Sequence, residues 1–315
     1  MSTPRKLRIL ITGCSPGGMG AALATAFHDA GHHVYATARN PAKLAALASQ
    51  GMQTIPLDIT SAPSIASAVA AVSASLPDDD AGGLDMLVNN AAGSYTMPVA
   101  DVSLDAARAL FDQNVWAQIA VAQAFLPLLL RSVTALAAPS AWCSVGGGDG
   151  PSRPLIVNHT SVGSVSALPF QGVYNASKAA LAMLSETMRM ELAPFGVAVV
   201  DLKTAGVKSN IIANNNVNTK AERLPEDSIY APAREVVEKA MSQEGLTAVG
   251  ISADQWAAEV APLLLGRSPP PVIWKGESAT VARLASAMPC NMFEGVIRKL
   301  TKLDIVEEII TESRK

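Results

Sequence analysis

The sequence predicts an α/β protein, a Rossmann-type doubly wound parallel sheet with helices on both faces. Three observations carry that prediction. The run Leu7 to Thr12 is apolar without alternation, as a strand buried on both faces requires. It feeds a glycine turn, GCSPGGMG, that opens a helical pattern closed at Gly31, and a second apolar run follows from His33 to Ala38. Strand and helix patterns then keep alternating along the chain.

In order, a third strand is expected over Gln53 to Leu57, ending at Asp58, with a helix from Ser61 to Ser75. Leu84 to Val88 is a fourth strand opening onto NNAAG, and a long helix runs from about Leu104 to Leu130. Leu155 to Asn158 and Val197 to Leu202 supply the fifth and sixth strands, with the helix of Tyr174 between them. Pro271 to Trp274 fits a last strand with a helix beyond. Two segments break the alternation. Residues 132 to 153 turn rich in Gly, Pro and Ser, which marks a surface excursion. Residues 209 to 242 are polar and irregular after a strand's carboxyl end, a place suited to a substrate lid.

Of 315 residues, 49% are hydrophobic and only 16% charged, which excludes a disordered chain. A net charge of -3 without a basic tract argues against nucleic acid as a partner. Cys14, Cys143 and Cys290 are scattered, with no metal spacing, and suit free thiols in a reducing compartment. The apolar run at the N-terminus is too short for a signal-peptide core, and Ala117 to Leu130 falls short of the ~20 residues of a membrane span. A cytoplasmic setting is therefore expected. Pro269 to Val296 mixes Trp274, Met288, Met292 and Phe293 with few charges; core packing is the expectation, and peripheral membrane contact is the alternative.

The chemistry concentrates in NHTSVGSVSALPFQGVYNASK, residues 158 to 178. Tyr174 and Lys178, four positions apart, fall on one helix face, so a cation stands beside a phenol and is expected to favour its anion. Ser161, at the end of a strand, offers a hydroxyl to a substrate oxygen. In the first turn, Gly13, Ser15, Gly18, Met19 and Gly20 place backbone N–H groups and a helix N-terminus where a pyrophosphate would sit. Arg39 ends the second strand with no acid beside it, which favours the 2′-phosphate of NADP(H) over NAD. Asp58 suits an adenine amino group or a helix N-terminus, and Asn89 and Asn90 suit a turn. Asn114, an amide inside an apolar helix, needs a partner and is expected to hold a water linked to Lys178.

TGxxx(x)GxG, NNA, Asn114, Ser161 and YNASK, in that order, resemble the short-chain dehydrogenase/reductases over roughly residues 7 to 300. The resemblance implies a Rossmann-fold oxidoreductase. Tyr174 would be the general acid/base, Ser161 would orient the carbonyl, Lys178 would hold the nicotinamide ribose and Asn114 would complete a proton relay. It also places Asn90 on the cofactor, and Val207 and Ser209 on the nicotinamide carboxamide. SYTMP at 94 to 98, GVKSN at 206 to 210 and LPEDSIYAPAREVVEKAM at 224 to 241 look like the fungal group related to NADPH-dependent 1-acyldihydroxyacetone-phosphate reductase. Three departures stand out: an extra residue in the glycine turn, NNAAG for NNAG, and Thr204 where a Pro is usual.

The expectation is thus one domain over residues 1 to 315 that reduces a ketone with NADPH, or runs the reverse oxidation, on a lipid-like or secondary-metabolite substrate. The alternative is a non-catalytic NADP-binding regulatory protein. A homodimer or homotetramer is expected through the 117 to 130 and Tyr174 helices, and the endoplasmic reticulum or a lipid-droplet surface is the alternative setting. The excursion at 132 to 153 is the weak point, since displacement of the fifth strand would move Ser161.

Overall fold

The computed structural model describes residues 5–76, 82–136, 151–208, 223–243, 250–289 and 292–315. Among them the strands are β1 (Arg8–Ile11), β2 (His33–Ala38), β3 (Gln53–Pro56), β4 (Met86–Asn89), β5 (Leu155–Ser161), β6 (Ala198–Thr204), β7 (Val207–Lys208), β8 (Ile251–Ser252) and β9 (Val272–Lys275). Seven form one sheet in the order β3-β2-β1-β4-β5-β6-β9, and its pairings are all parallel. The order reverses direction between β1 and β4, which opens a crevice at the strands' carboxyl ends. Ser161 and the glycine turn both lie at that edge.

Alternate residues of each strand enter opposite cores, as a two-unit period demands. Ile9, Ile11, Val88 and Val157 meet the helices Met19–Asp29 and Ala253–Leu265 on one face, around Phe27 and Trp256. Leu10, Leu87 and Ile156 meet Ala62–Ser75 and Ala117–Leu136 on the other, around Phe125. The apolar tract at 117 to 130 is therefore half of a core. One helix among the described residues, Leu104–Val133, is long and apolar enough to cross a membrane, and half of its apolar window is buried.

The excursion does not displace the fifth strand. Ser132, at its near end, is buried and its hydroxyl donates to Asp85, just before β4. On the return, Ser152 N donates to Arg267 O at 3.0 Å and Leu155 N to Asp85 O at 2.9 Å. β5 then pairs in register with β4 and β6, Met86 opposite Leu155 and Leu155 opposite Ala198. Residues 137–150 themselves, with Cys143, lie outside the described residues, as does Cys290.

Two expectations need correction. The lid segment is not irregular throughout: Arg234–Met241 is a helix, because Val237 and Met241 sit one turn apart and bury together. Residues 209–222 lie outside the described residues. The C-terminal segment does not pack wholly into a core either. Beyond β9 the chain forms the helices Ala279–Ala285, Glu294–Leu300 and Leu303–Ser313, on which Met288, Met292 and Val296 stay exposed while Val306 is buried against the lid helix cluster.

Candidate active site

β5 ends on Ser161, and the helix Gly172–Leu192 starts two residues before Tyr174. That helix has a residue pair, Tyr174 and Lys178, on the face turned to β5. The Ser161 hydroxyl lies close enough to the Tyr174 phenol to act on its titration, and its Oγ accepts from Gly163 N at 3.1 Å. Lys178 Nζ donates to His159 O at 2.8 Å and lies 5.9 Å from the Tyr174 ring centroid. The three side chains expected from sequence are thus together at one strand end.

The electrostatics differ from the expectation. Burial raises the Tyr174 phenol above its ordinary value, and the Ser161 hydroxyl opposes that rise. The Lys178 ammonium is directed at a backbone carbonyl rather than at the phenol oxygen, and removal from water penalises the phenolate. Burial also lowers the Lys178 ammonium to about 8, against the opposing charge of Asp201. At neutral pH the site holds a protonated phenol beside a protonated amine.

Asn114 lies in a single π turn, Asp112–Trp116, that interrupts the long helix and turns its amide inward. Its Oδ1 accepts from Gly93 N at 2.8 Å, and its Nδ2 donates to Gly93 O at 3.0 Å and Ser177 Oγ at 3.1 Å. Both amide hydrogens are committed to protein partners. The side chain braces the loop after β4 against the residue preceding Lys178. Gln118 Nε2 secures the same turn, donating to Gln113 O at 2.9 Å and Ala91 O at 2.7 Å.

At the other end of the crevice, the glycine turn packs closely against the loop after β4. Gly13 has φ of +77°, and a Cβ there would lie 2.8 Å from Ala91 Cα. A Cβ on Gly20 would meet Asn90 Nδ2 at 2.5 Å and Gly13 O at 2.6 Å. Gly18 caps the helix that begins at Met19 without a side-chain hydrogen bond, and no acid lies in the first turn. The positive helix end is thereby left for an anion. Ser15 O closes the turn, accepting from Gly18 N at 3.1 Å. Asn90 does more than shape its own turn: its N donates to Thr12 Oγ1 at 2.9 Å, and Nδ2 donates to Thr12 O at 2.8 Å and Gly13 O at 3.1 Å.

Arg39 is exposed just beyond β2, and Asp58 is half-buried beyond β3. Burial raises the Asp58 carboxyl, but hydrogen bonds from Thr60, followed by the charge of Arg39, outweigh it and leave the net shift downward. Asp58 Oδ1 accepts from Thr60 N and Oγ1 at 3.0 and 2.7 Å, which is local turn chemistry; Ser61, not Asp58, caps the following helix. Val207 pairs with Ile251 in the short β7-β8 sheet, and Ser209 lies outside the described residues.

Two groups escaped the sequence reading. His159 is buried on β5, stacked on Trp256. Asp201 and Lys203 form a buried ion pair at 2.7 Å on one face of β6; Lys203 Nζ donates to Ser164 Oγ at 2.9 Å, and Thr160 Oγ1 donates to Asp201. The pair steadies the turn that follows Ser161. A signal existed for both: polar residues in otherwise apolar strands at a spacing of two.

Comparison with known proteins identifies the family. A family profile described as short chain dehydrogenase matches residues 8–220. A short-chain dehydrogenase/reductase of Pestalotiopsis microspora is 47% identical over 303 residues, covering 96% of this chain and 97% of that protein. The NADPH-dependent 1-acyldihydroxyacetone phosphate reductase of Schizosaccharomyces pombe is 32% identical over 305 residues, 94% of each chain. A short chain dehydrogenase of Burkholderia cenocepacia, solved in complex with NADP, superposes with a TM-score of 0.65 at 21% identity over 93% of this chain and 98% of that one. With the order of motifs, the parallel sheet and these matches in agreement, the chain belongs to the short-chain dehydrogenase family.

Proposed function

We propose that this protein is an NADP(H)-dependent reductase that converts a ketone to an alcohol, with Tyr174 as the proton donor. The observation that carries the reading is the convergence of Ser161, Tyr174 and Lys178 at the carboxyl end of β5, with Lys178 bonded to the strand and 5.9 Å from the phenol ring. A phenol that stays protonated at neutral pH is in the form needed to give a proton to a carbonyl oxygen as negative charge grows on it. Ser161 donates to that same oxygen, a bond that strengthens as the charge develops.

The residues present fit a dinucleotide. The glycine turn with its helix end free of a side-chain cap suits the phosphates, Lys178 suits a ribose hydroxyl, and Arg39 suits a 2′-phosphate. When bound, NADPH supplies the hydride. Support for NADP over NAD comes from Arg39, from the NADPH dependence named for the Schizosaccharomyces pombe relative and from the NADP bound in the Burkholderia cenocepacia structure.

A lipid-like or secondary-metabolite ketone is the substrate class we favour. Beside Tyr174 the chain builds an apolar wall from Tyr95, Met97, Phe170, Leu224 and Val237, and the Arg234–Met241 helix belongs to it. Ser228 Oγ donates to Asp101 Oδ2 at 2.7 Å and ties that segment to the turn before the long helix. A second copy of the chain is the partner we favour, because Trp116, Met183 and Met190 are exposed on the long helix and the Tyr174 helix. Purified protein assayed for NADPH oxidation against small, aromatic and long-chain ketones, with NADH as control, tests the reading. Turnover with apolar ketones and NADPH is expected; NADPH binding without turnover on any of them would sink it in favour of a regulatory nucleotide-binding role.

A further inference from the structure

His159 precedes Ser161 by two residues on β5, so their side chains leave the strand on the same face. It is 5% exposed and stacks on Trp256, with centroids 5.2 Å apart and planes 12° from parallel. Nδ1 is 3.0 Å from Asn90 Oδ1, and Nε2 is 2.7 Å from Thr204 Oγ1. The backbone oxygen of the same residue receives Lys178 Nζ. One residue therefore touches Asn90, the end of β6 and the site lysine.

The neighbours decide which nitrogen carries the proton. Asn90 Nδ2 spends its hydrogens on Thr12 O and Gly13 O, so the atom facing His159 is the acceptor Oδ1. Nδ1 must then donate, and Nε2 accepts from the Thr204 hydroxyl. The ring is neutral: burial, followed by the Lys178 charge, pushes its pKa down to about 3. The proton on Nδ1 also fixes the amide. Were Asn90 flipped, its NH2 would face an N–H and its oxygen would face two carbonyl oxygens.

We propose that His159 is a positioning residue: its Nδ1–H sets the Asn90 amide, and through it the Thr12 and Gly13 carbonyls of the glycine turn, so that NADPH affinity depends on that donor. The proposal rests on the dinucleotide reading above. A histidine that only fills the core beside Trp256 would matter for stability and leave affinity unchanged. Three substitutions separate the two roles. In H159N the amide nitrogen can occupy the Nδ1 position, in H159Q a group reaches only the Nε2 position, and H159L offers neither.

The test uses the full chain and two readouts besides activity. Nitrogen-15 shifts of the protein without cofactor should show the Nδ1–H tautomer for His159. Fluorescence titration should give an NADPH Kd weakened about tenfold or more in H159Q and H159L but recovered to within about threefold in H159N. KM for NADPH should follow Kd, with kcat moving far less. An Nε2–H tautomer, or folded variants that all bind NADPH like wild type or all weaken alike, would overturn the proposal while leaving the reductase reading intact. Wild-type protein that binds no NADPH would overturn both. Should the variants not fold, an Nε2–H tautomer in the wild-type chain still overturns the proposal.

Discussion

Lys178 Nζ donates to the carbonyl oxygen of His159 at 2.8 Å, so the helix that carries Tyr174 is fastened to the strand that carries Ser161 by the ammonium itself. The bond holds the two hydroxyls at one place, and it does so with a charge that burial disfavours.

The pH dependence of stability should expose that charge. The folded Lys178 pKa of about 8 lies below its ordinary 10.5. Between those values the unfolded chain binds more protons than the folded one, so the contribution of this group to stability rises with pH across that window. In urea denaturation, wild type should gain stability relative to K178M as pH goes from 8 to 10.5. A difference that stays flat or falls would show that the amine is not held in a desolvating site. Activity should decline over the same range as the ammonium is lost.

An opposite window belongs to His159. Its folded pKa of about 3 lies below 6.5, so the unfolded chain takes up the proton first and stability is lost as pH falls from 6.5 toward 3. H159N lacks a titrating ring and should lose less over that interval, as read by denaturation at stepped pH. Equal acid sensitivity in the two proteins would place the cause elsewhere.

Asn114 separates bracing from chemistry. Its amide makes three hydrogen bonds in a fully buried setting, two to Gly93 and one to Ser177. N114L should cost about 3 kcal/mol of stability, because backbone and hydroxyl partners are left unpaired. If N114L is instead as stable as wild type yet inactive, the side chain acts on the reaction rather than on the fold.

Arg39 should decide cofactor choice. R39A is expected to raise KM for NADPH about tenfold and to leave NADH kinetics near wild type, since only the 2′-phosphate loses a charged partner. Equal loss with both cofactors would assign Arg39 a structural part, through its charge on Asp58.

The parts of the site that were legible in the sequence are those set by local spacing. Tyr174 and Lys178 share a helix face by construction, and β2 begins and ends where its apolar run does, His33–Ala38. β5 runs three residues past the expected Asn158, to Ser161, because His159 and Thr160 find buried partners in Asn90, Thr204 and Asp201. Those partners lie 69, 45 and 41 residues away, and no periodicity announces them. The β7-β8 pair has two residues per strand, too few to set a pattern. The direction of the Tyr174 shift is illegible for a related reason: spacing places the cation beside the phenol but does not show the burial that raises the phenol.

Tyr174→Phe, assayed with NADPH deuterated at C4 of the nicotinamide and an apolar ketone, tests the central claim most directly. Wild type should place deuterium on the carbinol carbon of the product, and Y174F should bind NADPH with near-wild-type affinity while forming less than about a hundredth of that product. Deuterated alcohol made by Y174F at the wild-type rate would contradict the assignment of Tyr174 as the proton donor.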